Sequence, residues 1–367
     1  MLGLFLYYFL FIKKQKQALM FRSNLHIKYF TKVIFVLFLL QSIFTIHSFA
    51  QSKVVTAQKG DGIYSLLKRY GYSISESMDS FIVLNKKHIG KNNALFAGVK
   101  YKLPDPKVSS AAPATGTAKK KIKTVHYNIF GKKYADIEIT GNELKGAVYY
   151  LVGGHGGPDP GAVGKHKGHQ ICEDEYAYDV ILRLARNLIA EGATVYLITR
   201  DKNDGIRDES YLKADKDEVC YPNQPIPLSQ MKRLRQRTRA VNQLYKKHKG
   251  AYQRMIAAHV DSRSKKENID VFFYFDKRSK TGEKTANILK NTFEKKYKEK
   301  QPGRGYRGTV SARNLYVVRN TYPPAVFIEL GNMNHQRDIK RLVVSDNRQA
   351  LANWLAIGLE KDFKINR

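Results

Sequence analysis

The 367-residue sequence is poor in cysteine, with Cys172 and Cys220 as its two thiols, and it has a single tryptophan. Two cysteines cannot build the dense disulfide framework of a small secreted domain, and they are too few for a metal–thiolate site. They can still pair with each other in an oxidising compartment, and we predict this disulfide. The alternative is a pair of buried free thiols.

Acidic residues are also scarce. The sequence has 32 Asp and Glu against 64 Lys and Arg, which gives a formal net charge of +32. Such an excess attracts polyanions, which include nucleic acid, anionic membrane surfaces and cell-wall polymers. Hydrophobic residues make up 43% of the sequence, so a packed core is available and wholesale disorder is excluded. The length suits about two domains, and no internal repeat is visible.

No uninterrupted apolar run reaches the ~20 residues of a membrane-spanning helix. The run from Val33 to Leu40 follows basic residues and precedes the small-residue stretch Ser48-Phe49-Ala50. This layout is typical of a secretory signal, so we predict a signal peptide over residues 1–50. The protein is then exported to the periplasm or cell envelope, which argues against a nucleic-acid partner and limits membrane contact to export. A retained membrane anchor is the alternative.

Three segments follow the predicted signal. Residues 51–104 are predicted to form a small αβ domain with a strand, two helices and a closing strand. Residues 105–123 are rich in Pro, Ala, Ser, Thr and Lys without periodicity, which is typical of a flexible linker. Residues 124–367 alternate between strand and helix patterns and form the third segment.

The third segment is predicted to be an α/β domain, a twisted and mostly parallel sheet with helices on both faces. Its predicted strands are 147–152, 194–199, 255–259, 271–275, 315–318 and 325–330. Its predicted helices are 173–191, 228–247, 281–300 and 347–361, and a hairpin of 126–130 with 134–139 precedes them. The polar stretch 201–227 interrupts this pattern, and it is either a rim over the site or an inert surface insertion.

Two histidines follow hydrophobic strands. His155 lies in a glycine-rich stretch directly after strand 147–152, and His259 ends strand 255–259. The carboxyl ends of parallel strands are where α/β sheets place their sites. Taken alone, the first could be incidental to a glycine-rich turn, and a histidine that closes an apolar strand is more often structural than a ligand.

Glu173 opens a helix and shares its apolar stripe, whereas Glu175 is predicted on the opposite, polar face and Asp174 at the border. A carboxylate at the head of a buried stripe needs compensation, either from the helix N-terminus or from a metal. With His155 and His259 it completes a His/Glu/His set. Three such ligands with an open fourth position describe a catalytic zinc site, and the donor types favour Zn²⁺ over copper(I), calcium or magnesium.

Glu329 lies inside the apolar strand 325–330. An acid there is costly unless it serves a metal, a proton transfer or a buried arginine. Arg319 is the candidate arginine partner, so both interpretations of Glu329 stay open at this point.

These motifs, in this order, resemble the zinc-dependent N-acetylmuramoyl-L-alanine amidases of the Amidase_3 type. The resemblance covers roughly residues 147–363 and includes the GHGGPDPGA loop at 154–162, the helix-leading Glu173, His259 and the stretch VVRNTYPPAVFIELG at 317–331. It implies hydrolysis of the amide between N-acetylmuramic acid and L-alanine of the peptidoglycan stem peptide.

The resemblance also implies roles for individual residues. It makes Glu329 the catalytic carboxylate. The implied zinc ligands are His155, Glu173 and His259, and the candidate substrate-binding residues are Asp159, Arg319 and Asn332.

Residues 51–104 resemble a LysM peptidoglycan-binding module, because a Gly-Asp turn precedes the first helix, Leu84-Asn85 follows the second, and Leu103-Pro104 ends the segment. An unrelated small αβ domain is the alternative. The expected partner is peptidoglycan, with a monomeric enzyme and a protein activator as further expectations. Two rival functions stay open: a non-catalytic or partner-activated peptidoglycan-binding regulator, and a zinc peptidase that needs no sugar.

Overall fold

The computed structural model of the protein describes residues 53–58, 61–72, 74–90, 93–105 and 123–367. The predicted signal peptide and most of the predicted linker lie outside these residues. Within the described part of the chain, no helix combines the length and the apolar character needed to cross a bilayer.

The N-terminal unit has the predicted order of strand, helix, helix and strand. Its elements are β1 (Val54–Thr56), α1 (Ile63–Arg69), α2 (Ile74–Leu84) and β2 (Lys100–Lys102), and β1 pairs with β2 in antiparallel register. Asn85, at the end of α2, exchanges two hydrogen bonds with the backbone of Lys102 and so ties the helix to the strand. Leu66, Phe81 and Tyr101 are fully buried in its core, where they are joined by Ile357 from the C-terminal part of the chain.

The remaining strands belong to the C-terminal part. The predicted hairpin is present as β3 (Thr124–His126) and β4 (Asp136–Glu138), but its first strand lies earlier than predicted, because Asn128–Phe130 form a 3₁₀ turn. In chain order the other strands are β5 (Ala147–Gly153), β6 (Val163–His166), β7 (His169–Cys172), β8 (Thr194–Leu197), β9 (Thr199–Arg200), β10 (Val219–Cys220), β11 (Gln224–Pro225), β12 (Tyr252–Asp261), β13 (Phe272–Phe275), β14 (Val310–Ala312) and β15 (Ala325–Asn332).

Six of these strands form the central sheet, in the order β14-β13-β15-β12-β5-β8. The strands β8, β5, β12 and β15 are mutually parallel, whereas β13 runs antiparallel to β15 and carries β14 beside it. Because β5 and β15 are buried along their whole length, β5 has no charged residue and β15 is apolar apart from Glu329 and Asn332. The predicted mostly parallel sheet is confirmed.

Helices cover both faces of the sheet, as predicted for an α/β fold. They are α3 (Glu173–Ala190), α4 (Gln230–Lys247), α5 (Lys280–Lys300), α6 (Tyr316–Asn320), α7 (Gln336–Val343) and α8 (Ser345–Asn366). The helices α3, α5 and α8 bury Ile181, Phe293 and Leu355 against one face. The helices α4 and α6 bury Val241 and Val317 against the other.

The predicted strand 315–318 is wrong, because this segment forms helix α6. Its β-branched residues Val317 and Val318 suggested a strand, but they pack with α4 on one face of the sheet. Tertiary packing therefore overrides local propensity here.

The predicted disulfide is absent from the structure, in which Cys172 and Cys220 are both free, buried thiols. Cys220 packs into the core beneath α4, together with Val152 and Ile198. Cys172 instead ends β7, where its sulfur accepts a hydrogen bond from the side-chain amide of Gln170. The two thiols therefore occupy separate environments, and burial raises the pKa of each.

Candidate active site

Three neighbouring parallel strands bring the predicted site residues to one edge of the sheet. His259 in β12 and Glu329 in β15 are direct partners in the ladder, so their side chains project from the same face. His155 follows the end of β5, the strand on the other side of β12. The apolar strands position these residues because His259 and Glu329 lie near the carboxyl ends of β12 and β15, and His155 lies just beyond that of β5.

Glu173 joins them from the first residue of α3, which begins at the same edge. Its two carboxylate oxygens accept backbone hydrogen bonds from Ala162 at 2.9 Å and Val260 at 3.0 Å. These bonds fix the carboxylate between the glycine-rich loop and β12.

His155, Glu173 and His259 form a compact group. One ligating atom from each lies within 4.8 Å of the other two. Glu173 Oε2 is 3.3 Å from His155 Nε2, and Glu173 Oε1 is 2.8 Å from His259 Nδ1. Burial raises the pKa of Glu173, but hydrogen bonds to the two histidines outweigh it and hold that pKa well below the usual range.

The two histidines differ electrostatically. Burial lowers the pKa of both, and for His259 burial prevails despite the neighbouring Glu173. For His155 the carboxylates of Glu173 and Asp159 outweigh burial and raise the pKa. A neutral imidazole is the form that binds a metal, so the depressed pKa of His259 suits a ligand.

Two glycines leave room for this group. A Cβ on Gly154 would lie 2.4 Å from the His259 ring, and one on Gly161 would lie 2.6 Å from Glu173 Oε2. His155 itself has a φ of +60°, a conformation that costs free energy outside glycine. The glycine-rich loop is thus required by the close approach of three side chains.

Asp159 supports His155 from behind. Its Oδ2 lies 2.9 Å from His155 Nδ1 and accepts a hydrogen bond from Arg233 at 2.7 Å. This contact leaves His155 Nε2 directed towards Glu173, as a carboxylate does for a metal-bound histidine. The guanidinium of Arg237 also donates to the backbone oxygen of His155. Asp159, predicted to contact substrate, holds the ring of His155 and the guanidinium of Arg233 in the structure.

Glu329 is buried beside the group. Its Oε2 has no hydrogen-bond partner among the described residues. Burial, reinforced by the charge of Glu173, raises the pKa of Glu329 well above its ordinary value. A carboxyl group in this environment binds a proton readily, which is the property of a general acid–base group.

Arg319 is not the partner of Glu329. Its side chain is exposed and donates to Asn314 at 3.1 Å. The arginines whose charges oppose the pKa rise of Glu329 are Arg313 and Arg263. Arg319 therefore does not explain the burial of Glu329, and the net shift of its pKa is upward.

Asn332 does not line the site either, because its side chain is fully buried. Its amide donates to the backbone oxygens of Ser264 and Glu267, and its carbonyl accepts from the backbone of Arg263 and Asn334. With these bonds the side chain fixes the loop after β12. The prediction of a substrate contact at Asn332 is wrong for this reason.

Sequence reasoning missed two supporting residues. Phe327 stacks on the His259 ring, with centroids 4.1 Å apart and planes at 17°. It lies two positions before Glu329 in the strand, so strand periodicity could have placed it on the same face. Arg233 had no comparable signal, because its contact with Asp159 spans 74 residues of sequence.

The donor set fits a zinc ion. Two imidazoles and one carboxylate are the ligand types of catalytic zinc sites, which keep one position open. The hydrogen bond that Asp159 accepts from His155 and the unpartnered Glu329 oxygen are the accompanying features such a site needs. The arrangement can therefore support metal-assisted hydrolysis with a nearby carboxylate for proton transfer.

Comparisons with known proteins agree with this chemistry. The family model for N-acetylmuramoyl-L-alanine amidase (Amidase_3) matches residues 150–361, more than half of the chain. A germination-specific N-acetylmuramoyl-L-alanine amidase from Bacillus subtilis (strain 168) is 24% identical over 226 residues, which cover 60% of this chain and 81% of that protein.

Solved structures of amidases are also similar. The CwlD amidase from Clostridioides difficile, in complex with the GerS lipoprotein, matches with a TM-score of 0.45 and 18% identity over 60% of this chain and 99% of that chain. The amidase AmiC2 of Nostoc punctiforme matches with a TM-score of 0.43 and 19% identity over the same shares.

The fold and site define an α/β amide hydrolase. The chain belongs to the N-acetylmuramoyl-L-alanine amidase family. Its activity is therefore that of a peptidoglycan amidase, and family membership favours an active enzyme over a non-catalytic regulator.

Proposed function

We propose that the chain cleaves the amide between N-acetylmuramic acid and L-alanine with a Zn²⁺ ion held by His155, Glu173 and His259. The proposal depends most on Glu329, a buried carboxyl group with an unpartnered oxygen beside the three ligands. Zinc, when bound, supplies a Lewis acid that polarises a carbonyl and acidifies water.

Residues of the chain position the proposed ligands and transfer the protons. Asp159 holds the His155 ring in position, and Phe327 packs flat on His259. Glu329 accepts a proton from the attacking water and donates a proton to the departing amine of L-alanine. Its raised pKa favours the second step, because the protonated form is the proton donor.

We also propose a domain organisation around this site. Residues 1–50 are a signal peptide, 51–104 a LysM-like peptidoglycan-binding module, 105–123 a linker and 124–367 the catalytic domain. The strand–helix–helix–strand order of the N-terminal unit supports the module. The enzyme acts as a monomer in the cell envelope, and a protein activator is part of the proposal.

We propose that this activity serves cell separation and wall turnover. A deletion strain is expected to form chains of unseparated cells, visible by microscopy. Normal separation in a strain without a compensating paralogue would contradict this role.

Mass spectrometry of digested peptidoglycan tests the reaction. Zinc-loaded protein should release stem peptides that begin at L-alanine, and a chelator should abolish release until Zn²⁺ is added back. Removal of the metal should stop the reaction because zinc supplies the Lewis acid of the site. Cleavage of free stem peptides that lack muramic acid would instead favour a zinc peptidase, and release that persists in chelator would contradict the zinc proposal.

Asp159→Asn should weaken zinc binding about 10–100-fold, the usual cost of losing a carboxylate behind a metal-bound histidine. The amide carries no charge, so both His155 and Arg233 lose their ionic partner. Competition with a colorimetric zinc chelator measures the affinity. Asp136→Asn is a matched control, because Asp136 pairs with His126 on the exposed surface. Equal zinc affinity in the two variants would contradict the positioning role.

A further inference from the structure

A second group of carboxylates lies behind the start of α3. The acidic cluster consists of Asp174, Glu175, Asp201, Asp215 and Glu218, and it forms two overlapping triads that share Glu218. In each triad, one oxygen from every member lies within 4.8 Å of the others. Asp215 is half-buried, and the other four carboxylates are buried.

This burial differs from the sequence prediction for α3. Glu175 was predicted on a polar face, but its side chain is covered by the segment 201–227. Arg207 from that segment pairs with Glu175 at 2.8 Å, and the backbone N–H of Asp215 donates to Glu175 at 3.1 Å. The segment is therefore not an inert surface insertion, because it closes over a group of acids.

One oxygen of this cluster has no hydrogen-bond partner. Asp174 is 2% exposed, and its Oδ1 accepts a hydrogen bond from the backbone of Glu175. Its Oδ2 is buried and contacts no donor within the described part of the chain. A buried carboxylate oxygen in that state costs free energy unless a cation or proton meets it.

The charge of the cluster is also poorly balanced. Among the described residues, Arg207 is the one cation that forms an ion pair with any of its five members, and it also pairs with Asp204. Burial, opposed by a hydrogen bond from the Gly157 N–H and reinforced by Glu175 and Asp201, raises the pKa of Glu218 to about 7. Five carboxyl groups, four of them buried, therefore share one guanidinium partner.

We propose that the acidic cluster is a second cation site, separate from the His155–Glu173–His259 group, and that it binds Ca²⁺. Each triad offers three carboxylate donors without imidazole or thiolate, which are the ligand types of a hard cation, and Glu218 belongs to both triads. Carboxylates contributed by both a helix and an irregular loop match the flexible coordination of calcium better than the strict octahedron of magnesium.

The acidic cluster lies where a bound ion would connect three elements of the structure. Glu218 Oε2 accepts from the Gly157 N–H at 2.6 Å, so the cluster is joined to the glycine-rich loop. Asp174 is the residue after Glu173, so the cluster is joined to the start of α3 as well. A bound ion fastens the segment 201–227 to both elements that carry the active site.

Calcium titration of the chelator-treated full chain tests this proposal. Isothermal calorimetry should show a single saturable Ca²⁺ site, and Ca²⁺ at 100 times its Kd should raise Tm by about 5 °C. Mg²⁺ should bind more weakly. No binding heat and no Tm shift with millimolar CaCl₂ would overturn the proposal, as would tighter binding of Mg²⁺.

Variants locate the site. Glu218→Gln and the milder Asp215→Asn should each lose most of the calcium-induced Tm shift, although both remain folded without Ca²⁺ because they remove repulsion. His259→Ala should keep the shift, which separates this site from the proposed zinc site. Glu294→Gln, on the exposed face of α5, is the matched carboxylate control. An unchanged shift in both cluster variants would overturn the assignment.

Discussion

Glu329→Gln should lower kcat by roughly 10²–10⁴-fold, the contribution typical of a general acid–base group. The amide is nearly isosteric with the carboxyl group but cannot exchange a proton at neutral pH. Its neighbours in the ladder are undisturbed, because the strand backbone of β15 fixes the side chain opposite His259. Release of stem peptides beginning at L-alanine, followed over time by mass spectrometry, measures the loss.

The same variant should keep its zinc and gain stability. Burial raises the pKa of Glu329 in the folded state, so keeping the carboxylate ionised at neutral pH opposes folding. That cost appears as the pH rises above the ordinary carboxyl pKa, and the amide removes it. The Tm of metal-free Glu329→Gln at pH 7 should therefore exceed that of the wild type. Activity close to wild type, with full zinc content, would exclude Glu329 as the proton-transfer group.

Glu173→Gln should abolish both zinc binding and activity. Each carboxylate oxygen accepts from a backbone N–H, at Ala162 and at Val260. An amide presents an NH₂ group to one of these donors, so that backbone bond is lost along with the negative charge between the two histidines. The lost buried hydrogen bond costs about 1–3 kcal/mol of stability.

Elemental analysis and thermal unfolding together check this variant. We expect no zinc to remain on the variant after dialysis and a lower Tm than that of the wild type even without metal. Glu294→Gln again serves as the control, because it changes an exposed carboxylate to an amide without touching the site. A Glu173→Gln protein that retains zinc after dialysis would show that the ligand set is different.

The central residues of the candidate site could be predicted because each is marked by the sequence pattern immediately around it. His155, His259 and Glu329 each follow or interrupt a strongly apolar strand, and such strands pair in parallel in an α/β fold. Glu173 was found because helical periodicity placed it on the buried stripe. These inferences depend on few long-range assumptions, and the structure brings the four residues together.

The errors have long-range causes. Helical periodicity placed Glu175 on a polar face, but the segment 201–227 covers that face. Asn332 is near the site in sequence, yet the loop after β12 encloses its side chain. The segment 315–318 is helical because α4 provides a packing surface for it. The periodicity of a sequence predicts which face of a single helix or strand is buried, but it does not predict contacts with segments that are distant in the chain.

The ladder pairing of His259 with Glu329 has a consequence for how this enzyme can vary. Neighbouring strands lie about 4.8 Å apart whatever side chains they carry, so the spacing of these two groups is set by backbone hydrogen bonds. Substitutions in the core can lower stability without altering that spacing. An insertion or deletion of one residue in either strand, however, would turn a side chain to the opposite face. Substitutions in the core are therefore tolerated more readily than changes in the lengths of β12 and β15.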